Sequence, residues 1–509
     1  MATRVVFAVV VGCTVITLAI LFSENLGVRE YISLDRLGFD CERERARAGQ
    51  EGVVSVSVGG DGSMGAGTAT SGKLFSGSKV ASYDITKLRF ASFGDRDHMR
   101  STARSPRSES FEAHPLKCSH WSVVTTIFEP SEAVKRQAHL KDWCLVVVGD
   151  RKGPKDYPLD APAGNVVFLT AAQQEQLASH FPLVQALPWN HFGRKNVGFL
   201  YAILHGARFV WDFDDDNMLL SSTPKLDIPG NPWIQPTNSN GSAATATATA
   251  GQSPDLQADS WGFGLSFKVV EVKRRHTLSS FNPYPLMGAP MLPCWPRGLP
   301  LEHIKEPGPN STDLAVRQIP TAAVGVVQSL AQHDPDIDAI FRLTMPIPFD
   351  FTATSPALPL LVPEGTYAPY NAQATLHLYS SLWSLLLPVT VHGRVSDIWR
   401  GYITQRLGRD IGMKLVFSPP IVRQDRNTHN YLADFDSEGP LYKRASKLIH
   451  QIDKEWQPKG FSLVARIEEL WVFLYEHGYF EKEDVVLVQA WLQSLIDAGY
   501  DFPRLVVKR

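Results

Sequence analysis

The chain has 509 residues, 44% hydrophobic and 20% charged, with a net charge of −2. This is ordinary globular composition with enough apolar content for a large core, and it excludes a general nucleic-acid binder, which needs a basic face. The five cysteines, Cys13, Cys41, Cys118, Cys144 and Cys294, contain no C-x-x-C pair, which argues against a cysteine zinc site and against a disulfide scaffold.

Residues 5–22, VVFAVVVGCTVITLAILF, are uncharged and just long enough to cross a bilayer as a helix. Arg4 and the amino terminus precede the run and Glu24 follows it. The positive-inside rule then makes residues 1–4 a cytoplasmic tail, 5–22 a transmembrane signal anchor and the remainder lumenal. The rivals are a cleaved signal peptide, whose apolar region is shorter and ends at a small-residue site, and a misread gene start. Residues 23–117 are charged, Gly/Ser-rich and then basic and Ser-rich, which predicts a disordered stem.

Order is expected from about Trp121. WSVVTTIFEP reads as a strand, SEAVKRQAHL as a helix capped by Ser131, and WCLVVVGD as a buried parallel strand ending near Asp150. NVVFLT is a further strand and AAQQEQLASHF a helix. RKNVGFLYAILHGA carries Val197, Leu200, Tyr201 and Leu204 at helical spacing and stops at Gly206; RFVWDF is the next strand. The order β-α-β-β-α-α-β predicts an α/β domain with a mixed, mainly parallel sheet, here bounded as 118–438. Residues 221–260, with NSNGSAATATATAGQ, read as a mobile insertion. Asn240 and Asn310 head N-x-S/T sequons. Residues 439–509 predict a C-terminal helical region.

The strand 209–212 runs into Asp214, Asp215 and Asp216. In such sheets ligands sit beyond the carboxyl ends of strands. In extended backbone residues 212, 214 and 216 share one side, and crowded carboxylates repel unless a cation joins them. Mg²⁺ and Mn²⁺ take oxygen ligands, often one or two carboxylates plus substrate phosphates. That is the chemistry of a D-x-D site in sugar-nucleotide transferases; the alternative is a solvated acidic turn. Arg194 and Lys195 precede a helix at its anion-favouring end, or are ordinary surface bases. Asp150 suits a uracil or ribose contact, or a turn. Asp397, read at the start of an amphipathic helix, is an acceptor-side carboxylate or a cap. His429, in a loop with Arg423, Asp425 and Asn427, completes a metal shell, touches phosphate, or stays free of ligand.

Several long motifs carry a resemblance: KNVGFLYAILHGARFVWDFDDDN, NPYPLMGAPMLPCWPRGLPLEHI, VGVVQSLAQHDPDIDAIFRLT and EGTYAPYNAQATLHLYSSLWSLLLPVTVHGRVSDIWRGYI, with the helical tail. Together they resemble the STELLO (DUF288) family over about Trp121 to the C-terminus. The resemblance implies a GT-A-like, nucleotide-sugar-binding domain, a Golgi type II membrane protein and, in plants, association with cellulose synthase. A weaker similarity of layout links the chain to the reversibly glycosylated polypeptides, UDP-arabinopyranose mutases, through the Asp214–Asp216 triplet, Asp336-Ile337-Asp338-Ala339 and SDIWRGY. That layout selects Asp214 and Asp216 over Asp212 as the metal motif.

The resulting expectation is a Golgi-anchored, metal-dependent glycosyltransferase using a UDP-linked sugar. Thr125, Thr126, Asp150, Arg194, Lys195, Asn196 and Asp215 would bind the donor. Asp214, Asp216 and His429 would hold Mn²⁺ or Mg²⁺, and Asp397 would orient or deprotonate the acceptor. The rival class is a non-catalytic assembly or trafficking factor that keeps the fold and binds a cellulose synthase-like membrane complex.

Overall fold

The computed structural model describes residues 88–93, 118–161, 164–220, 266–273, 279–306, 308–309, 311–352, 358–426 and 430–506. The expected anchor 5–22, the insertion 221–260, both sequon asparagines and His429 lie outside these residues. Among the described residues no helix is long and apolar enough to cross a membrane.

Strands β1 (His120–Thr125), β2 (Cys144–Val148) and β3 (Val166–Leu169) form a parallel set. β2 is buried along its whole length, as a parallel strand covered on both faces must be. Helix α1 (Glu132–Ala138) connects β1 to β2, and Ser131 caps it by accepting from the Val134 amide at 3.2 Å. Helix α2 (Ala171–Ala178) opens with a Thr170–Gln173 capping box. A short helix α3 (Pro182–Ala186), begun by its proline, adds one element to the expected order. Helix α4 (Lys195–Leu204) then leads into β4 (Phe209–Asp212), which pairs parallel to β1. Gly198 lets α4 lie directly on the sheet: a Cβ there would stand 2.7 Å from both Val123 Cγ1 and Val148 Cγ2. Because α4 runs back against the strands, its first residue, Lys195, lies at their carboxyl ends.

The remaining strands are β5 (Asn217–Leu219), β6 (Ser266–Val272), β7 (Leu314–Pro320), β8 (Val324–His333), β9 (Leu360–Leu361), β10 (Thr375–Leu378) and β11 (Lys414–Gln424). Among the described residues they complete an eleven-stranded sheet of order β3-β2-β1-β4-β10-β8-β11-β9-β6-β7, with β5 on β11. β10 is inserted antiparallel between β4 and β8. Tracing the pairings, seven strands point one way and four the other, which is the expected mixed α/β sheet.

Helix α5 (Ala339–Thr344) follows β8, and the long helix α6 (Gly393–Asp410) precedes β11. Beyond β11 come α7 (Tyr431–Ser437), α8 (Gly439–His450), a π-helical turn at Gln451–Glu455, α9 (Leu463–Glu476) and α10 (Lys482–Asp497). These helices were expected, but the boundary at 438/439 separates no domains. One apolar core runs from Val123 and Val146 on the sheet, through Leu200 and Trp399, to Leu448, Trp471 and Trp491.

The stem expectation also needs a correction at residues 88–93. Phe90 is buried in that same core, and the Arg89 and Phe90 amides donate to the Glu468 carboxylate on α9 at 2.8 and 2.7 Å. Ser462 Oγ donates to the Phe93 carbonyl at 2.5 Å. An apolar side chain and two satisfied backbone groups suffice to dock a segment that composition alone reads as unstructured.

Candidate active site

At the carboxyl end of β4 four carboxylates gather, Asp212 as the strand's last residue and Asp214, Asp215 and Asp216 in the turn beyond it. Asp212 is fully buried and held on two sides, by Lys195 Nζ at 2.6 Å and by the Arg400 guanidinium at 3.1 and 3.2 Å. Lys195 Nζ also reaches Asp214 Oδ1 at 3.0 Å and the Ala372 carbonyl at 2.8 Å. Burial works against the lysine charge, but Asp212 and Asp214 outweigh it and hold its pKa above the ordinary value. Asp212 and Asp214 thus share a side, as strand alternation requires. Asp215 faces elsewhere: Thr126 Oγ1 donates to its carboxylate and Ser131 Oγ to its carbonyl. Asp216 accepts from Asn217 Nδ2 at 3.2 Å and Gln424 Nε2 at 3.1 Å. Burial, then the charge of Asp214, pushes its pKa up to about 6.

A second charged network lies alongside. Arg297 bonds bidentately to Asp336, at 2.8 and 3.1 Å, and to Asp397, at 3.0 and 2.8 Å. Asp397 also accepts from the Ile398 amide at 2.9 Å and the Ala372 amide at 3.2 Å. Segment 371–373 joins the two networks. The Asn371 carbonyl accepts from Arg400 and its amide nitrogen Nδ2 donates to Asp336. Gln373 Nε2 donates to Gln424 Oε1 at 3.0 Å, and Gln424 in turn holds Asp216. A continuous buried polar path therefore runs from the acidic turn to helix α6.

The family model for STELLO glycosyltransferases matches residues 394–509, which begin within α6 and include Asp397 and Arg400. The chain is 28% identical over 394 residues to "Probable glycosyltransferase STELLO2" of Arabidopsis thaliana, covering 77% of this chain and 46% of that protein. It is also 28% identical over 389 residues to "Probable glycosyltransferase STELLO1" of the same plant, covering 76% and 45%. The chain is thus similar to STELLO glycosyltransferases. It spans a little under half the length of these two STELLO relatives.

In this chain several residues expected at the donor are engaged in holding the fold. Arg194 is buried, with Nε on Gln174 Oε1 at 3.0 Å and Nη1 on the Val184 and Leu187 carbonyls at 3.3 and 3.2 Å. Its guanidinium also lies 3.9 Å from the centre of the Trp189 ring, whose other cationic neighbour, Arg151, is at 4.4 Å. Asn196 clamps Leu387, giving Nδ2 to its carbonyl at 2.9 Å and taking its amide at 2.8 Å. Asp150 accepts three backbone amides, from Arg151, Asn190 and His191 at 2.6, 2.8 and 3.2 Å, and so shapes the loop beyond β2. Thr125 Oγ1 donates to the Val148 carbonyl at 3.1 Å. Thr126 and Asp215 bind one another and fix the acidic turn to the β1–α1 loop.

Asp397 is neither a helix start nor a free base. Helix α6 begins four residues earlier, with His392 as its cap, and both Asp397 oxygens are occupied. Ile398, Trp399, Tyr402 and Ile403 form the buried face of this helix. The sequence reading missed Arg297, Arg400, Gln424 and the 371–373 segment, none of which carries a local signal. Their partner Asp336 did have one, the acidic pair Asp336–Asp338, of which Asp338 caps α5 and accepts from Trp295 Nε1 at 2.6 Å.

The donor set fits a hard divalent cation of the kind that takes few protein ligands. Asp214 keeps 39% of its side chain exposed, and the two bonds to Asp216 are long and neutral. Among the described residues no group of three or more metal-type side chains gathers, and His429 lies outside them; phosphate and water often complete the shell of such an ion.

Proposed function

We propose that this chain is a Golgi membrane-anchored, metal-dependent glycosyltransferase using a UDP-linked sugar. The observation that carries the reading is the pair Asp214 and Asp216. They stand at the carboxyl end of β4, where an α/β sheet binds ligands, and Asp214 is open to solvent. Asp214 and Asp216 would hold Mn²⁺ or Mg²⁺, which supplies charge stabilisation for the departing diphosphate. Lys195 and Arg400 neutralise Asp212 beneath the site, so the buried charge there is paired before any ligand arrives. Asp397, through the Ala372 amide, sets the position of the segment whose carbonyl holds Lys195.

The disulfide between Cys118 and Cys144 supports a lumenal catalytic domain, because such bonds persist in oxidising compartments. Its Cα atoms are 6.1 Å apart, within the ordinary span of a disulfide.

One observation favours the second reading, a nucleotide-binding assembly factor for a cellulose synthase-like membrane complex. The carboxylate expected to activate the acceptor, Asp397, is locked in an ion pair. Incubating the purified full-length chain and Mn²⁺ with a panel of nucleotide sugars separates the two. Transferred or released sugar, lost in Asp214→Asn/Asp216→Asn, supports the enzyme. Nucleotide binding with no release from any donor supports the assembly factor.

A further inference from the structure

Transfer from a diphosphate-linked sugar leaves negative charge on the departing group, and protein cations aimed at that charge stabilise it. Among the described residues, cations around the acidic turn are otherwise engaged. Lys195 and Arg400 are bound to Asp212, and Arg297 to Asp336 and Asp397. Arg423 forks onto Asp425 at 3.0 and 3.2 Å.

Arg426 differs from all of these. Its side chain is 10% exposed, yet its contacts lie at the outer limit of hydrogen bonding. Nη2 is 3.4 Å from Gln424 Oε1, and Nε is 3.5 Å from Asp334 Oδ2. Among the described residues Nε is buried with no hydrogen-bond partner. Asp334 is itself already committed to Arg342 at 2.5 Å. Gln424 places the guanidinium beside the acidic turn, because its other end holds Asp216 at 3.1 Å. The Arg426 charge acts on both Asp216 and Asp336.

We infer that Arg426 binds the diphosphate of the donor, a role the sequence reading gave to Arg194 and Lys195. This rests on the nucleotide-sugar reading above. A guanidinium is well matched to a diphosphate, because its planar fork meets two phosphate oxygens at once and it sheds water more readily than an ammonium. A largely buried arginine, under-coordinated among the described residues and one glutamine side chain from a metal-type carboxylate, is a donor set awaiting an anion.

The test measures Mn²⁺-dependent binding of UDP and of uridine to the full-length chain and its variants. Arg426→Gln should weaken UDP by about 30-fold or more, the lower end for truncating one member of a buried charged pair. Its affinity for uridine and for Mn²⁺ alone should match the parent. Arg426→Lys, which keeps the charge and loses the fork, should fall between parent and Arg426→Gln and guards against a folding defect. Arg423→Gln should bind UDP like the parent. If Arg426→Gln binds UDP within twofold of a parent that does bind it, Arg426 has no such role and the nucleotide-sugar reading survives. If the parent shows no Mn²⁺-dependent UDP binding, the nucleotide-sugar reading falls and takes this inference with it.

Discussion

Lys195 and Asp397 grip opposite ends of one residue: the Ala372 carbonyl accepts from Lys195 Nζ at 2.8 Å, and the Ala372 amide donates to Asp397 Oδ2 at 3.2 Å. One belongs to the helix before β4 and the other to the helix before β11, 202 positions apart in the chain. Helix α6 is thereby tied to the acidic turn through the backbone of a single residue.

The Asp397 ion pair sets an order of destabilisation. Arg297→Met leaves Asp336 and Asp397 buried without their shared cation and should cost about 3–5 kcal/mol. Asp397→Asn leaves Arg297 with Asp336 and should cost less, about 1–3 kcal/mol. Urea unfolding of the two variants checks the order. A loss below about 0.5 kcal/mol for Asp397→Asn would return that residue to a free acceptor-side role.

Asp216 should behave in the opposite sense. Its folded pKa is raised to about 6, so the stability it offers when protonated is lost as pH climbs through that value. In metal-free buffer at pH 7.5, Asp216→Asn should gain roughly 1 kcal/mol, discounted because the side chain is part-exposed. Mn²⁺ should raise the melting temperature of the parent and not of the variant. Equal Mn²⁺ shifts in the two would make the turn a solvated acidic loop.

The docked segment 88–93 depends on Glu468, which accepts the Arg89 and Phe90 amides and Gln489 Nε2 at 2.7 Å. Glu468→Gln places an amide NH₂ or a weaker acceptor against those donors, at a cost of about 1–3 kcal/mol. Trypsin should then cut after Arg89 well before it degrades the core. Parental resistance at Arg89 would show that Phe90 burial alone holds the segment.

Asp484 supplies a pH signature remote from the site. It accepts the Val389 amide at 2.7 Å and the Thr390 amide at 3.1 Å, and burial pushes its pKa up to about 6. Its contribution is complete below about pH 4 and declines as pH rises to about 6. The stability lead of the parent over Asp484→Asn should therefore shrink across that window, by up to about 3 kcal/mol at about 1.4 kcal/mol per unit. Melting curves of both proteins from pH 4 to 7 measure it; a constant lead would show that the amide bonds keep the carboxylate charged throughout.

Local chemistry made much of the first half legible. Ser131 caps its helix, and Gly206 takes a φ of 89° where helix α4 stops. β2 is an uninterrupted apolar run, β4 is apolar up to its closing Asp212, and α8, α9 and α10 lie in the stretch 439–509 read as helical. The interior of the site was less legible because its partners are distant in sequence. Nothing local distinguishes Arg297, which meets Asp397 a hundred positions later, from a surface arginine. Arg194 and Lys195 are adjacent and chemically alike, yet the first turns to Gln174 and the second to Asp212 and Asp214. The cross-link of Cys118 to Cys144 was equally hidden, since it depends on β1 and β2 being neighbours.

The sandwiching of Trp189 gives the molecule a built-in optical probe. Its indole lies between Arg151 and Arg194, and of the described tryptophans only it and Trp143 are not buried. Indole emission shifts with the charges beside the ring. Arg194 is fixed by four bonds, whereas Arg151 is half-exposed and tethered through Glu175 at 2.7 Å. Anything anionic that arrives beyond β2 and draws Arg151 off the ring should change the colour or yield of that one fluorophore. Occupancy of the loop shaped by Asp150 is thus readable in untagged protein, and Trp189→Phe supplies the blank.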